Sequence, residues 1–491
     1  MNDPQTAVRG QPKASASQIR HTATGAQRSV LVLAASIVVA FLAAANAPSP
    51  LYERYETAWH ASPLIGTIAF AAYAVAVIAG LLWLKELPAL LGRPAVLLSA
   101  IAGQILALVL FAVAGSFALI VAGRVLQGLA SGAALGTLSA AMVESDAERG
   151  PAASAASPGA GSGSGALLSG LVVQFLPGPR QTIYLILAAI LAIQALFVLR
   201  VIPRGQRRPL SWKAVTPRVA VPAGAKTTFM STAPVVFAVW GLSGFYAALS
   251  PALYRALSRS DSVWQSALPL FALLAAATAT TIVLRRLNGR AQTITGAGAM
   301  LAGLGITVAA IESGSTWLYL VASAVAGVGF GAGFQGPIRS MAPQAAEDQR
   351  PALLSAVFLV AYAGLGVSAV IPGALISSGA ALTAVASGLA VALAVLTAPA
   401  LYTATRQDRA RNLMTASTAA THAVAACSPA GCPSWPSSPS RSPTTAPSSG
   451  PSRPAAGRRS RPAPAVSPPA KLLSARGAKT TMNTGLPDPN R

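Results

Sequence analysis

Apolar runs of about 20 residues recur along the chain, divided by short polar or Gly/Pro-containing breaks. A helix of ~20 residues rises 1.5 Å per residue and so crosses the ~30 Å hydrocarbon core of a bilayer. The runs predict twelve such helices, near 29–49, 63–84, 94–115, 117–142, 154–176, 182–201, 229–252, 264–284, 292–311, 316–338, 352–375 and 379–402. The first run is longer than a signal-peptide core, and Asn46-Ala47-Pro48-Ser49 is a poor cleavage site, so it reads as a retained span. The expected fold class is an all-α integral membrane protein.

Composition agrees with that pattern. Of 491 residues, 53% are hydrophobic and 10% charged, where a soluble chain carries about 25% charged residues. The net charge of +23 raises the question of nucleic acid, but its distribution answers it. Of the 36 Lys and Arg, only Arg54, Arg180, Arg255 and Arg259 fall in one set of loops and only Arg124 lies deep within a span. The rest sit in the other loops and the two terminal segments. This is the positive-inside bias, which places both termini in the cytoplasm and requires no nucleic-acid partner. Cys427 and Cys432 are the only cysteines and both lie in the tail, so no disulfide framework or metal site is expected.

Five zones follow. Residues 1–28 form a basic arm expected to be disordered, 29–201 a six-helix half, 202–228 a cytoplasmic linker, 229–404 a second six-helix half, and 405–491 a Pro/Ser/Arg-rich tail. The tail has too little apolar surface to fold. The halves echo one another. Sliding Gly128–Ser154 by 201 places Gly128 on Gly329, Gly132 on Gly333, Arg149 on Arg350 and Asp146 on Glu347.

Within this pattern one position is discordant. The fourth run, SFALIVAGRVLQGLASGAALGTLSAAM, carries a single charge, Arg124. A charge at membrane depth is costly and faces a cavity or a partner as a rule. Gln127 follows at i+3 on the same helix face. No Asp or Glu lies deep in a span. The nearest titratable candidates are Glu53 and Glu56 just beyond the first helix, with Asp261 and His60 as further loop residues. Tyr73, Trp240, Tyr246 and Tyr362 are aromatic side chains within spans, read equally as cavity lining or core.

The stretch Gly123-Arg124-Val125-Leu126-Gln127-Gly128-Leu129-Ala130-Ser131-Gly132 resembles the fourth-helix motif of the major facilitator superfamily of secondary transporters. The loop Leu91-Gly92-Arg93-Pro94 resembles that family's motif between helices 2 and 3: Gly92 and Arg93 match, whereas Lys85, Ala89 and Pro94 depart from it. Gly161-Ser162-Gly163-Ser164-Gly165-Ala166-Leu167-Leu168-Ser169-Gly170 is similar to the glycine-rich fifth-helix motif of its proton antiporters, with Ala166 in place of Pro. The resemblance implies two pseudo-symmetric six-helix halves that rock about a midplane site. It also implies a role for Arg124 in proton coupling and cavity lining, and for the Gly92–Arg93 loop in switching.

Gly128, Gly132 and Gly136 form a small-residue stripe. With Gly161, Gly165, Gly170, Gly329 and Gly333 they are expected to pack or gate helices, and Gly327 and Gly331 read the same way. Gln335 and Pro337 are expected to break the tenth helix near its inner end. There is no phosphate-binding Gly-Lys-Ser/Thr loop, metal cluster or nucleophile elbow, so no enzyme, cofactor or ATP-driven pump is expected. The expected function is secondary active transport of a small solute, anionic because Arg124 has no carboxylate partner in its span. Coupling to the proton gradient, export and a monomer in the inner membrane complete the expectation. The rival reading is a non-transporting membrane sensor or scaffold, or a damaged transporter copy.

Overall fold

In a chain this apolar, backbone N–H and C=O groups must be satisfied within their own segment, which favours helices. The computed structural model describes residues 25–84, 86–203, 219–347, 349–399 and 401–402. Its long helices are α1 (Gly25–Asn46), α2 (Pro63–Trp83), α3 (Arg93–Ala112), α4 (Phe117–Ser145), α5 (Gly150–Phe175) and α6 (Thr182–Val201). They continue with α7 (Ala223–Ala248), α8 (Leu268–Val283), α9 (Gly289–Ser313), α10 (Thr316–Met341) and α11 (Arg350–Ser377), and end with α12 (Leu382–Pro399). Most of the arm, the centre of the linker, Lys85 and the whole 405–491 tail with Cys427 and Cys432 lie outside the described residues.

Helix ends differ from the apolar runs where polar residues extend a helix beyond them. α1 begins at Gly25 and takes in Gln27 and Arg28, so the last part of the expected disordered arm is helical. α7 begins at Ala223 and takes in Lys226, so the linker ends earlier than hydropathy implies. The tenth helix is not broken at Gln335 or Pro337: α10 runs unbroken to Met341. Proline removes one backbone bond, and neighbouring helices in a membrane bundle tolerate that loss. Pro158, Pro234 and Pro372 likewise sit inside continuous helices.

Eleven described helices are long and apolar enough to cross a membrane. The twelfth is α5, which is 26 residues long but rich in Gly and Ser. Its small residues seat it between two neighbours. A Cβ at Gly161 would enter the α1 backbone at Val39, and one at Gly165 would enter it at Ala43. On its other face Gly159 meets Thr278 and Gly163 meets Leu274, both on α8. Close backbone approach holds the Gly/Ser-rich part of this helix, and Val172 and Val173 pack in the core nearer its end.

The packing pairs repeat when each helix number is raised by six. α2 packs on α4 and α8 on α10; α1 on α5 and α7 on α11; α3 on α4 and α9 on α10. The pairs that join the halves obey the same rule, α5 on α8 and α11 on α2. The two halves are therefore pseudo-symmetric. The offset of 201 does not hold inside the helices, however. Gly128 abuts Tyr73 and Ala76 on α2, and the residues that abut α8 equivalently are Gly327, against Leu273 and Ala276, and Gly331, against Ala277. Gly329 and Gly333 face α9, at Met300 and Gly296. A stripe of glycines at even spacing offers two registers, and packing rather than sequence identity selects one.

The bundle has two unlike ends. At the end that carries Tyr52 the halves are bonded to each other: the Leu64 N–H donates to Ser377 Oγ at 3.1 Å, and the Val263 N–H donates to Gln174 Oε1 at 3.1 Å. Gly373 also abuts Thr67 there. At the other end, which carries Glu144, an apolar groove separates Ile78, Leu81 and Leu82 of α2 from Leu354, Phe358 and Leu359 of α11.

Candidate functional site

Arg124 lies about two turns below the first residue of α4 and is 0% exposed. Its Nε donates to Tyr52 Oη at 2.7 Å. Its Nη1 donates to the Ala45 carbonyl at 2.7 Å and to Gln127 Oε1 at 2.8 Å. The rings of Tyr52, Tyr73 and Phe111 surround it, with centroids 5.5, 5.7 and 5.7 Å from Cζ. Among the described side chains no carboxylate is ion-paired with it.

A buried guanidinium without an anion needs other compensation, because desolvation costs several kcal/mol. Ala45 supplies part of it. Its carbonyl belongs to the last turn of α1, where backbone acceptors lack helical partners and the helix dipole is negative. Arg124 therefore acts as a cap on α1. Hydrogen bonds from a charged donor contribute about 1.5–3 kcal/mol each and desolvated cation–π contacts up to about 2, which together offset the burial. The Ala47 carbonyl finds its own partner in Ser169 Oγ at 2.5 Å, which ties α5 to the same helix end.

The cluster retains unused donors. Arg124 Nη2 and Gln127 Nε2 are buried with no hydrogen-bond partner. Arginine has no acceptor, so the amide of Gln127 must turn its oxygen to Arg124 and its NH2 away. One turn further, Ser131 is fully buried, and its hydroxyl sits beside that of Tyr73.

The short helix Tyr52–Ala58 covers this cluster. Tyr55 stacks on Trp59 at 4.9 Å and shares a hydroxyl bond with Tyr184 of α6 at 3.0 Å. Glu56 is half-buried against the first turns of α2, where Gly66 leaves room for its carboxylate. Burial pushes the Glu56 carboxyl up to about 7. Burial also pushes the Tyr52 hydroxyl up, against the pull of Arg124, and Glu56 acts on that hydroxyl in turn. Tyr52 thus stands between the acid and the cation. The side chain of Glu53 is outside the described residues. His60 and Asp261 are exposed in loops.

The remaining expected residues lie elsewhere. Gly128 and Gly132 are at the α2 interface, the latter against Gly80, and Gly170 meets Trp264 and Ala267. Gly136 meets nothing within 4 Å. Gly92, at φ 90°, opens α3 at the opposite end of the bundle. Beside it Arg93 donates to both carboxylate oxygens of Glu144 at 2.6 and 2.7 Å. Sequence reasoning did not find Glu144, Phe111 or the Ala45 carbonyl. Glu144 is an acid near the inner end of α4, which was a usable signal; the carbonyl leaves none.

In the second half Trp240 of α7 lies 4.8 Å from the ring of Tyr362 and 5.3 Å from that of Phe334, with Phe330 and Phe358 around it. Tyr246 lies apart, stacked on Tyr319 at 5.9 Å.

The sequence profile of the Major Facilitator Superfamily matches residues 32–366. The chain belongs to that superfamily. It is a multi-pass membrane protein among transporters rather than enzymes. No curated protein matches it. Its fold is similar to solved structures of the nucleoside transporter NupG (TM-score 0.58, 13% identity, 78% of this chain and 99% of that one). It is also similar to a POT family transporter in complex with 5-aminolevulinic acid (TM-score 0.60, 12% identity, 77% and 96%). A third is the human organic anion transporter MFSD10 (TETRAN), with TM-score 0.57, 13% identity, and 77% and 99% of the two chains covered. At such identities the likeness concerns the fold.

Proposed function

We propose that this superfamily member exports a small solute by alternating access and couples that movement to protons. The observation that carries the reading is the placement of Glu56 one turn beyond Tyr52 in the short helix whose Tyr52 hydroxyl accepts from Arg124, at the end where the halves are bonded together. The loop-charge bias supports a cytoplasmic position for both termini in the inner membrane, which puts the Tyr52 end outside. The described conformation then has the halves bonded together on the outside and the apolar groove between α2 and α11 on the cytoplasmic side. When the Tyr52 end opens, Glu56 meets solvent and loses or gains its proton freely. Neutral Glu56 is the form that is buried again at least cost, so protonation favours the sealed state. The glycine-rich α5, pressed between α1 and α8, supports the antiporter branch and hence export. Small-residue contacts let these helices slide and rock. The Gly92–Arg93 loop, clamped to α4 by Glu144, is the matching restraint at the cytoplasmic end.

The test is flux in proteoliposomes under an imposed pH gradient, using solutes selected by thermal stabilisation of the purified protein. Gradient-driven movement that Arg124→Ala abolishes supports the proposal. Flux indifferent to the gradient removes proton coupling. Stabilising ligands that never cross the membrane favour the sensor reading.

A further inference from the structure

Three unused donors stand out among the buried, unpartnered groups of the described residues. Arg124 Nη2, Gln127 Nε2 and Trp240 Nε1 are all buried without a partner, and each belongs to a group that only donates there. Buried donors without acceptors are costly, about 1–3 kcal/mol each. The hydroxyls of Tyr73 and Ser131, also without a partner, can each accept one bond, but neither carries the negative charge that complements a guanidinium. Arg124 adds a positive charge that no described carboxylate balances. Nη2 and the Gln127 amide come from residues three apart on one helix face, and a carboxylate offers an oxygen to each of these donors.

These donors border an aromatic wall. Tyr73 lies over Arg124. The Tyr362 hydroxyl is within electrostatic reach of Tyr73, and both belong to one buried cluster that bridges the halves. From Tyr362 the wall continues through Trp240 to Phe334 and Phe358, at 5.3 and 6.5 Å from the indole. Phe358 in turn borders the apolar groove between α2 and α11. A run of aromatic rings therefore extends from Phe358 at the groove through Trp240 to Tyr362, in the same buried cluster as the Tyr73 ring beside Arg124.

We propose that the solute is an aromatic organic anion, its carboxylate held by Arg124 and Gln127 of the first half and its planar body by Trp240, Phe358 and Tyr362 of the second. This rests on the transporter reading and names its substrate class. Arg124 selects against cations that the aromatic faces alone would accept. The rings select for flat bodies, and the indole N–H rewards an acceptor on that body. Because the ligand touches both halves, its binding is linked to their relative position.

The test is calorimetric titration of the full chain in nanodiscs with 2-naphthoate. Three comparison probes vary one feature each: cyclohexanecarboxylate, 2-naphthamide and 2-naphthylmethylammonium. The expected result is at least tenfold tighter binding of 2-naphthoate than of any of the three. Gln127→Leu should weaken 2-naphthoate about tenfold and leave 2-naphthamide unchanged. Trp240→Leu should bring 2-naphthoate down to the level of cyclohexanecarboxylate. Equal binding of naphthoate and cyclohexanecarboxylate, or preference for the ammonium probe, overturns the proposal, as does absence of naphthoate binding to a protein whose thermal transition shows it folded. Transport of some other solute by a chain that ignores 2-naphthoate would sink the substrate class and leave the transporter reading. Tight naphthoate binding without flux in proteoliposomes would do the reverse.

Discussion

The Arg124 guanidinium donates to the carbonyl oxygen of Ala45 at 2.7 Å, which makes a side chain of α4 the cap of α1. The same guanidinium holds Tyr52 and Gln127. Arg124→Lys keeps the charge but replaces a planar fork by a point donor that cannot serve Nε and Nη1 geometries together. Transport by Arg124→Lys should fall at least tenfold while the protein stays folded. Arg124→Ala should also lower the apparent melting temperature, because the Ala45 carbonyl and the Gln127 amide lose their donor, at about 1–3 kcal/mol for each stranded group. Flux and thermal melting of the purified variants check both outcomes.

Glu56 makes stability depend on pH. Its carboxyl is raised from 4.5 to about 7 in the folded chain by burial. The folded state therefore holds this proton more tightly than the unfolded state. The stability it contributes is full below about pH 4.5 and is lost as pH rises through about 7. In Glu56→Gln that part of the melting profile should flatten, with the variant matching the wild type at low pH and exceeding it above neutrality. A wild-type slope that survives in Glu56→Gln assigns the titration to another group.

Gly165 packs on the α1 backbone at Ala43, whereas Gly136 has open space around it. Gly165→Leu should destabilise by about 1–3 kcal/mol through overpacking and reduce transport. Gly136→Ala should be neutral or slightly stabilising, since alanine is the better helix former by about 1 kcal/mol. Melting of the pair in one detergent distinguishes close packing from mere sensitivity of the helices to any substitution.

Arg93 and Glu144 form a two-pronged ion pair with side chains 25% and 57% exposed. Exposure of that degree limits its stability contribution to about 0.2–1 kcal/mol. A larger effect on transport than on melting is expected from either single variant, because the pair restrains a loop that must move. The exchange Arg93→Glu with Glu144→Arg should recover most of the flux that Arg93→Ala loses.

Much of this was legible in the sequence. Each apolar run became a helix, because length and hydropathy leave few alternatives in a bilayer. Arg124 stood out as the lone charge of its run, and its contact with Gln127 follows from i+3 spacing. What surrounds Arg124 was not legible, since the Ala45 carbonyl belongs to every residue alike and Phe111 is one apolar residue among many. The register of the repeat cannot be read from the sequence, because Gly327, Gly329, Gly331 and Gly333 alternate on two faces of α10 and only the neighbours α8 and α9 tell them apart. Hydropathy does not show the starts of α1 and α7, because polar residues such as Arg28 and Lys226 extend each helix past its apolar part.

The central claim is that the bonded Tyr52 end opens and closes and that Glu56 biases the movement. Spin labels at Ser62→Cys and Ser378→Cys, with Cys427 and Cys432 replaced by Ser, report the separation of α2 and α11 next to the Leu64–Ser377 bond. Double electron–electron resonance in nanodiscs should show a short and a longer distance, with the longer one gaining population as pH rises through about 7. Glu56→Gln should hold the short distance at every pH. A single short distance across the whole pH range in the unsubstituted Glu56 protein would contradict the account.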